Sequence, residues 1–201
     1  MSGFKDETVE IIRVNWDGPY SWPKYENANN LPSLPKLPGV YLQTFEYKNG
    51  FLIYAAGITR RQVKSRFGEH TRKYKNGEYN VLDIDAIQLG NRKEVWHGWD
   101  YAKKHRSEFE QRKTQILEAV EQQLSKFRIF VSKGLAIDRD LRFLERTEAA
   151  VMLTLYKQLP PVCDLPDKGM QLMPRWESER PLILKSSSNH HLHGLPDYLE
   201  I

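Results

Sequence analysis

Residues 39–59 read "GVYLQTFEYKNGFLIYAAGIT", two runs rich in Val, Ile, Leu, Phe and Tyr on either side of Asn49-Gly50. Asn-Gly accepts the positive φ angles of a tight two-residue turn, so the runs are expected to pair as an antiparallel hairpin. Strands are placed at about 39–47 and 51–58. The second strand empties into Arg60, Arg61, Lys64, Arg66 and His70. A strand followed at once by that many cations asks for an anionic partner or a solvated helix face.

Beyond the hairpin, Thr59 is expected to cap a helix beginning at Arg60 or Arg61, in which Val63, Phe67 and Tyr74 form the buried stripe. Arg66 and His70, four apart, share one face of that helix. Gly77 ends it. The stretch from Tyr79 reads as a short helix or turn, then a strand or loop near 93–97. Residues 101–126 read as one long charged helix with Ile116, Leu117, Val120 and Leu124 on its apolar stripe. "FRIFVSK", 127–133, reads as a third strand. Residues 138–159 read as a second long helix, apolar at Leu141, Leu144, Ala149, Met152 and Leu155, and stopped by Pro160-Pro161. The fold class expected is α+β: a small, mostly antiparallel three-stranded sheet flanked by helices. Residues 1–37, ending in "ENANNLPSLPKLP", read as an N-terminal extension, 38–165 as the domain, and 166–201 as a loop-like C-terminal extension.

Composition is that of a globule: of 201 residues, 40% are hydrophobic and 28% charged. The net charge of +4 permits a nucleic-acid partner without requiring one. The lone Cys163 excludes an internal disulfide and fits a reducing compartment. No apolar leader and no run of about 18 apolar residues is present, so a cytoplasmic protein without a membrane partner is expected.

"GVY" at 39–41, "YAAGIT" after a hairpin, Arg66 and His70 one turn apart, and a later helix carrying "TEAAVMLTLYKQLPPVCD" together resemble the GIY-YIG nuclease family over roughly residues 38–165. The resemblance implies a metal-dependent endonuclease that hydrolyses phosphodiester bonds in DNA with Mg²⁺ or Mn²⁺. It puts Gly39 and Tyr41 in the first motif and Gly57 and Thr59 at the second. It makes Arg66 the helix arginine, His70 its companion, Glu148 the metal-binding glutamate, and Asp164 the counterpart of a frequent asparagine. Arg66 would contact the scissile phosphate with its forked donors. Tyr41 or His70 would serve as general base. Arg60, Arg61, Lys64 and Lys73 would grip flanking phosphates. A homodimer would explain two cuts in a duplex.

One position departs from the pattern. The second motif reads Ala55-Ala56-Gly57, and Tyr54 stands one residue early. Regular strand alternation turns Tyr54 away from the site and makes its hydroxyl dispensable, which is the expectation here. A bulge would return it, or Tyr74 or Tyr79 would stand in. If the role is lost, the alternative function is a nucleic-acid-binding domain that does not cut. Glu148 is preferred to Glu145 because it lies beside the apolar stripe, where a charge needs a partner. Trp96, His97 and Trp99 are expected to be core more than base-stacking residues, "HHLH" at 190–193 to be tail more than a metal site, and Cys163 not to be a nucleophile.

Overall fold

The computed structural model describes residues 9–132 and 140–201. The expected hairpin forms, as β2 (Gly39–Tyr47) and β3 (Gly50–Thr59), but its turn is Lys48-Asn49, with Lys48 at φ 49° and Gly50 already paired with Tyr47. β6 (Phe127–Ser132) pairs antiparallel with β2 on its other side. Residue 133, read as the end of that strand, lies outside the described residues.

The expectation of a small three-stranded sheet is wrong. These three strands are the interior of a seven-stranded mixed sheet, ordered β8-β3-β2-β6-β1-β7-β9, with β1 (Glu10–Ser21), β7 (Leu182–Ser188), β8 (His191–His193) and β9 (Tyr198–Glu200). β1 runs antiparallel to β6 but parallel to β7, and β8 runs parallel to β3. Residues 10–21 therefore form an interior strand, and 182–200 supply three more. In β1, Ile12, Val14 and Trp16 are buried while Arg13 and Asn15 are exposed, the alternation of a strand with one covered face. β7 carries serines inward: Ser186 is buried and its hydroxyl accepts a hydrogen bond from Trp16 Nε1 at 3.0 Å.

Each face of the sheet has its own core. One face packs Tyr41, Phe45, Leu52, Phe67, Phe109, Val120 and Phe127 under α2 (Val63–Lys75) and α6 (Lys113–Lys126). The other packs Val40, Leu42, Ile53, Phe130, Leu144, Met152 and Leu155 under α7 (Leu141–Tyr156). Between β3 and β6 run a two-residue strand, β4 (Val81–Leu82), the short α3 (Ile84–Gln88) and β5 (Glu94–Trp96). The expected helix over 101–126 is three pieces: α4 (Trp99–Lys104), α5 (Arg106–Gln111) and α6. Leu117 on that stripe is only half-buried. The helix read over 138–159 spans Leu141–Tyr156; residues 138 and 139 lie outside the described residues.

Candidate active site

The β2–β3 pairing sets the site. Tyr41 faces Gly57 across the strands. A Cβ at position 57 would overlap the Tyr41 ring and hydroxyl, so only glycine lets the phenol lie across β3. Gly39 is held the same way: a Cβ there would meet the Ser132 carbonyl oxygen at 2.7 Å. The register then shifts: Gln43 pairs with Ala55, but Thr44 pairs with Ile53. Tyr54 is the extra residue of a bulge, and it shares the face of Tyr41. The expectation that regular alternation turns Tyr54 away is overturned. Its carbonyl accepts from Asp167 N–H at 2.8 Å, and its hydroxyl donates to Asp167 Oδ2 at 3.3 Å.

Helix α2 brings the arginine and the histidine. Val63, Phe67, His70 and Tyr74 are buried along one stripe. Phe67 packs edge-on against Tyr41, with ring centroids 5.0 Å apart, and against Trp22 at 4.7 Å. Thr59 does not cap this helix. Its hydroxyl accepts from Arg61 N–H at 3.1 Å in a turn, and the cap position is Gln62. His70 Nε2 is 2.6 Å from Tyr41 Oη, and His70 Nδ1 is 3.2 Å from Tyr79 Oη. Burial, then the charges of Arg66 and Lys73, pull the His70 pKa down to about 3, so the ring is neutral. Burial pushes the Tyr41 pKa well up, and the Arg66 charge opposes this. Arg66 donates through Nη1 to Glu69 at 2.9 Å, and Glu69 also binds Arg61 at 2.7 Å. The Nε–H of Arg66 is buried without a partner.

Glu148 arrives from the opposite face of the sheet. β8 pairs only with Gly50–Leu52, so beyond it the outer edge of β3 lies open to α7. There Ala56 N–H donates to Met152 Sδ at 3.1 Å. Glu148 is one helical turn before Met152, on the same side of α7, which carries its carboxylate to the end of β3 where Tyr41 crosses Gly57. Tyr41, Tyr54, Arg66, His70, Tyr79 and Glu148 line one cavity of about 280 Å³.

Burial, then the charge of Glu145, raises the Glu148 pKa to about 7; Arg66 opposes them. Glu145 is paired with Arg142 at 3.3 Å. A half-buried carboxylate with raised pKa is a site a divalent cation would re-ionise. Among the described residues no three His, Cys, Asp or Glu cluster as a metal cage. The single Glu148 carboxylate on the cavity wall is the kind of ligand that Mg²⁺ or Mn²⁺ takes when water and substrate oxygens complete its shell.

The remaining candidates lie around the cavity or apart from it. Arg60, Arg61 and Lys64 are exposed and do not line it, although Arg61 shares Glu69 with Arg66; Lys73 lies over the Tyr79 ring at 5.4 Å. Asp164 is exposed and does not line the cavity; the carboxylate there is Asp167. Trp96 is core, donating to the Gly77 carbonyl at 2.7 Å, and His97 binds Glu94 on the surface. Trp99, by contrast, lines the cavity. Among the tail histidines, His193 Nε2 lies 3.2 Å from the Tyr47 carbonyl oxygen. Cys163 is within reach of the Asp164 carboxylate, and burial pushes its thiol up. Sequence reasoning missed Gln43, Glu69 and Asp167. Gln43 had a signal, since it is two residues from Tyr41 and shares its face.

No protein-family model matches the chain, and neither a curated protein nor a solved structure is significantly similar to it. Among the described residues no helix is long and apolar enough to cross a membrane.

Proposed function

We propose that the chain is a metal-dependent endonuclease that hydrolyses phosphodiester bonds in DNA. The observation that carries this reading is the meeting of Tyr41, Arg66, His70 and Glu148, from three elements and both faces of the sheet, in one cavity. Phosphodiester hydrolysis needs a proton acceptor near the attacking water, a fixed cation on the phosphate, and stabilisation of the leaving oxygen.

Arg66 supplies the fixed cation. Glu69 holds one arm of its fork, which leaves the unpartnered Nε–H for a phosphate oxygen. Tyr41 receives the proton from water while its own proton passes to His70 Nε2, which accepts it when Nδ1 carries the ring hydrogen towards Tyr79. In the protein alone, burial and then the Arg66 charge keep His70 from charging. A phosphate between the two offsets that repulsion and makes the imidazole a better base at the moment it is needed. Glu148 would hold the divalent cation, whose chemistry is to neutralise phosphate charge and stabilise the leaving oxygen. The exposed Arg60, Arg61 and Lys64, with Lys73, would meet neighbouring phosphates without reading sequence. Tyr54, returned by the bulge, supports cutting over binding alone, because Ala55 was the reason to doubt a catalytic site.

The test is cleavage of supercoiled plasmid and of single-stranded DNA with Mg²⁺ or Mn²⁺, by the parent protein and by Arg66→Ala. The substitution is expected to lower the rate by about 10²–10³ or more, and Arg66→Lys to rescue it poorly because a point charge lacks the fork. No cleavage by the parent under any of these conditions, or full activity of Arg66→Ala, contradicts the proposal.

A further inference from the structure

Six buried polar side-chain atoms lack a hydrogen-bond partner among the described residues, and three of them belong to residues lining this one cavity: Gln43 Oε1, Arg66 Nε and Trp99 Nε1. A phosphate accounts for Arg66. It does not account for the other two together. Phosphate oxygens only accept hydrogen bonds, so they leave the Gln43 carbonyl oxygen unanswered. Gln43 is 6% exposed, and burying an amide without partners is unfavourable. A ligand that met all three atoms would offer a donor as well as acceptors.

Trp99 is placed with some force. Its backbone sits at φ 56°, a region disfavoured for a bulky side chain. The preceding Gly98 N–H is tied to Asn80 Oδ1 at 2.7 Å, and Asn80 is tied in turn to Asp167 at 3.2 Å. A Cβ at Gly169 would come within 2.6 Å of the indole nitrogen. The indole packs at 5.2 Å on the Tyr79 ring. Past these two rings opens a second cleft, of about 570 Å³, where Lys73, Lys103 and Arg106 are paired with Glu78, Asp100 and Glu110.

We propose that the cavity is a nucleobase subsite. It takes one base unstacked from its strand, read at its edge by the Gln43 amide and the Trp99 indole N–H, next to the phosphate that Arg66 holds. A base edge presents both a donor, which the Gln43 carbonyl oxygen accepts, and an acceptor, which the Trp99 N–H meets. A base inside a duplex cannot enter such a cavity, so the substrate carries an unpaired or extruded nucleotide at the cut. This inference rests on the phosphodiesterase reading for the phosphate alone.

The experiment is a chemical-shift titration, which reads millimolar affinities, of the full chain without metal. The four deoxynucleoside 5′-monophosphates are compared with deoxyribose 5-phosphate. At least one nucleotide is expected to bind about tenfold more tightly than the baseless sugar phosphate, the margin of one good base contact. Gln43→Leu and Trp99→Phe should each bring that ratio towards one. Gln43→Leu keeps the shape and removes an unsatisfied amide, so its melting temperature should hold or rise. A ratio near one in the parent, a ratio that survives both substitutions, or no binding of any nucleotide at millimolar concentration overturns the proposal. Cleavage without base preference removes the subsite and leaves the nuclease reading; base preference without cleavage does the reverse.

Discussion

Tyr41 Oη and His70 Nε2 stand 2.6 Å apart in a fully buried contact, with Tyr79 Oη 3.2 Å from the other ring nitrogen. A neutral imidazole holds only one ring hydrogen, so the two contacts cannot both be donations by the ring. The arrangement is directional: when Nδ1 donates to Tyr79, Nε2 is free to accept from Tyr41. This makes His70 the natural sink for the tyrosine proton and leaves the Tyr41 oxygen able to accept from water.

Tyr41→Phe and His70→Gln should each slow cleavage by about 10²–10⁴, the range of a positioned acid–base group. The double variant should be little worse than either single one, since the two act as a unit. Single-turnover rates of the three variants test this; additive losses would separate the residues.

Tyr54→Phe removes a buried hydroxyl that donates to Asp167 and leaves Oδ2 short of a partner. It should cost about 1–3 kcal/mol of stability and slow cleavage, because Asp167 also ties Asn80 and the Tyr54 backbone. Thermal melting and rate measured together decide the matter. An unchanged rate would return Tyr54 to a packing role.

Gly57→Ala should misplace Tyr41 more than it unfolds the chain. The added methyl overlaps the phenol, and overpacking of this kind costs about 1–3 kcal/mol. Cleavage should fall at least as far as in Tyr41→Phe. A crystal structure of the variant should show the ring displaced.

The stability of the metal-free protein should carry two opposing pH dependences. Glu148 has its folded pKa raised from 4.5 to about 7. Its contribution is present below pH 4.5 and is lost as pH rises through about 7. His70 has its folded pKa lowered from 6.5 to about 3. Its contribution is present above pH 6.5 and is lost as pH falls towards 3. Glu148→Gln should therefore gain stability relative to the parent between pH 4.5 and 7, by up to about 3 kcal/mol. His70→Gln should weaken the fall on the acid side. Denaturant unfolding at several pH values reads both; a pH-independent difference would contradict the burial of Glu148.

The hairpin and α2 were legible because their signals are local: a turn dipeptide in one case, and Val63, Phe67 and Tyr74 at helical spacing in the other. Tyr41, Arg66, His70 and Glu148 were picked out by a resemblance between ordered motifs, and what the structure adds is that the four line one cavity. The outer sheet was not legible, although Ile12, Val14 and Trp16 alternate. β1 finds its parallel partner some 170 residues away, in a serine-rich strand whose inward hydroxyl is satisfied by an indole, and nothing local announces such a pairing. The Tyr54 bulge has no signature in one strand alone, since it is defined by where β2 skips a residue. The break of the 101–126 segment into three helices falls at His105 and Arg112, with no Gly or Pro to mark it. Gln43 and Asp167 are meaningful only once the cavity exists.

The central claim is that Glu148 serves a divalent cation in a cutting site. Plasmid cleavage as a function of Mg²⁺ or Mn²⁺, for the parent, Glu148→Gln and Glu145→Gln, tests it most directly. The account predicts metal-dependent cleavage by the parent, with the metal requirement easing as pH rises through about 7 because the ionised carboxylate is the ligand. It predicts cleavage abolished in Glu148→Gln with DNA binding kept, and near-parent cleavage in Glu145→Gln, whose carboxylate serves Arg142 instead. Equal cleavage by Glu148→Gln and the parent would contradict it.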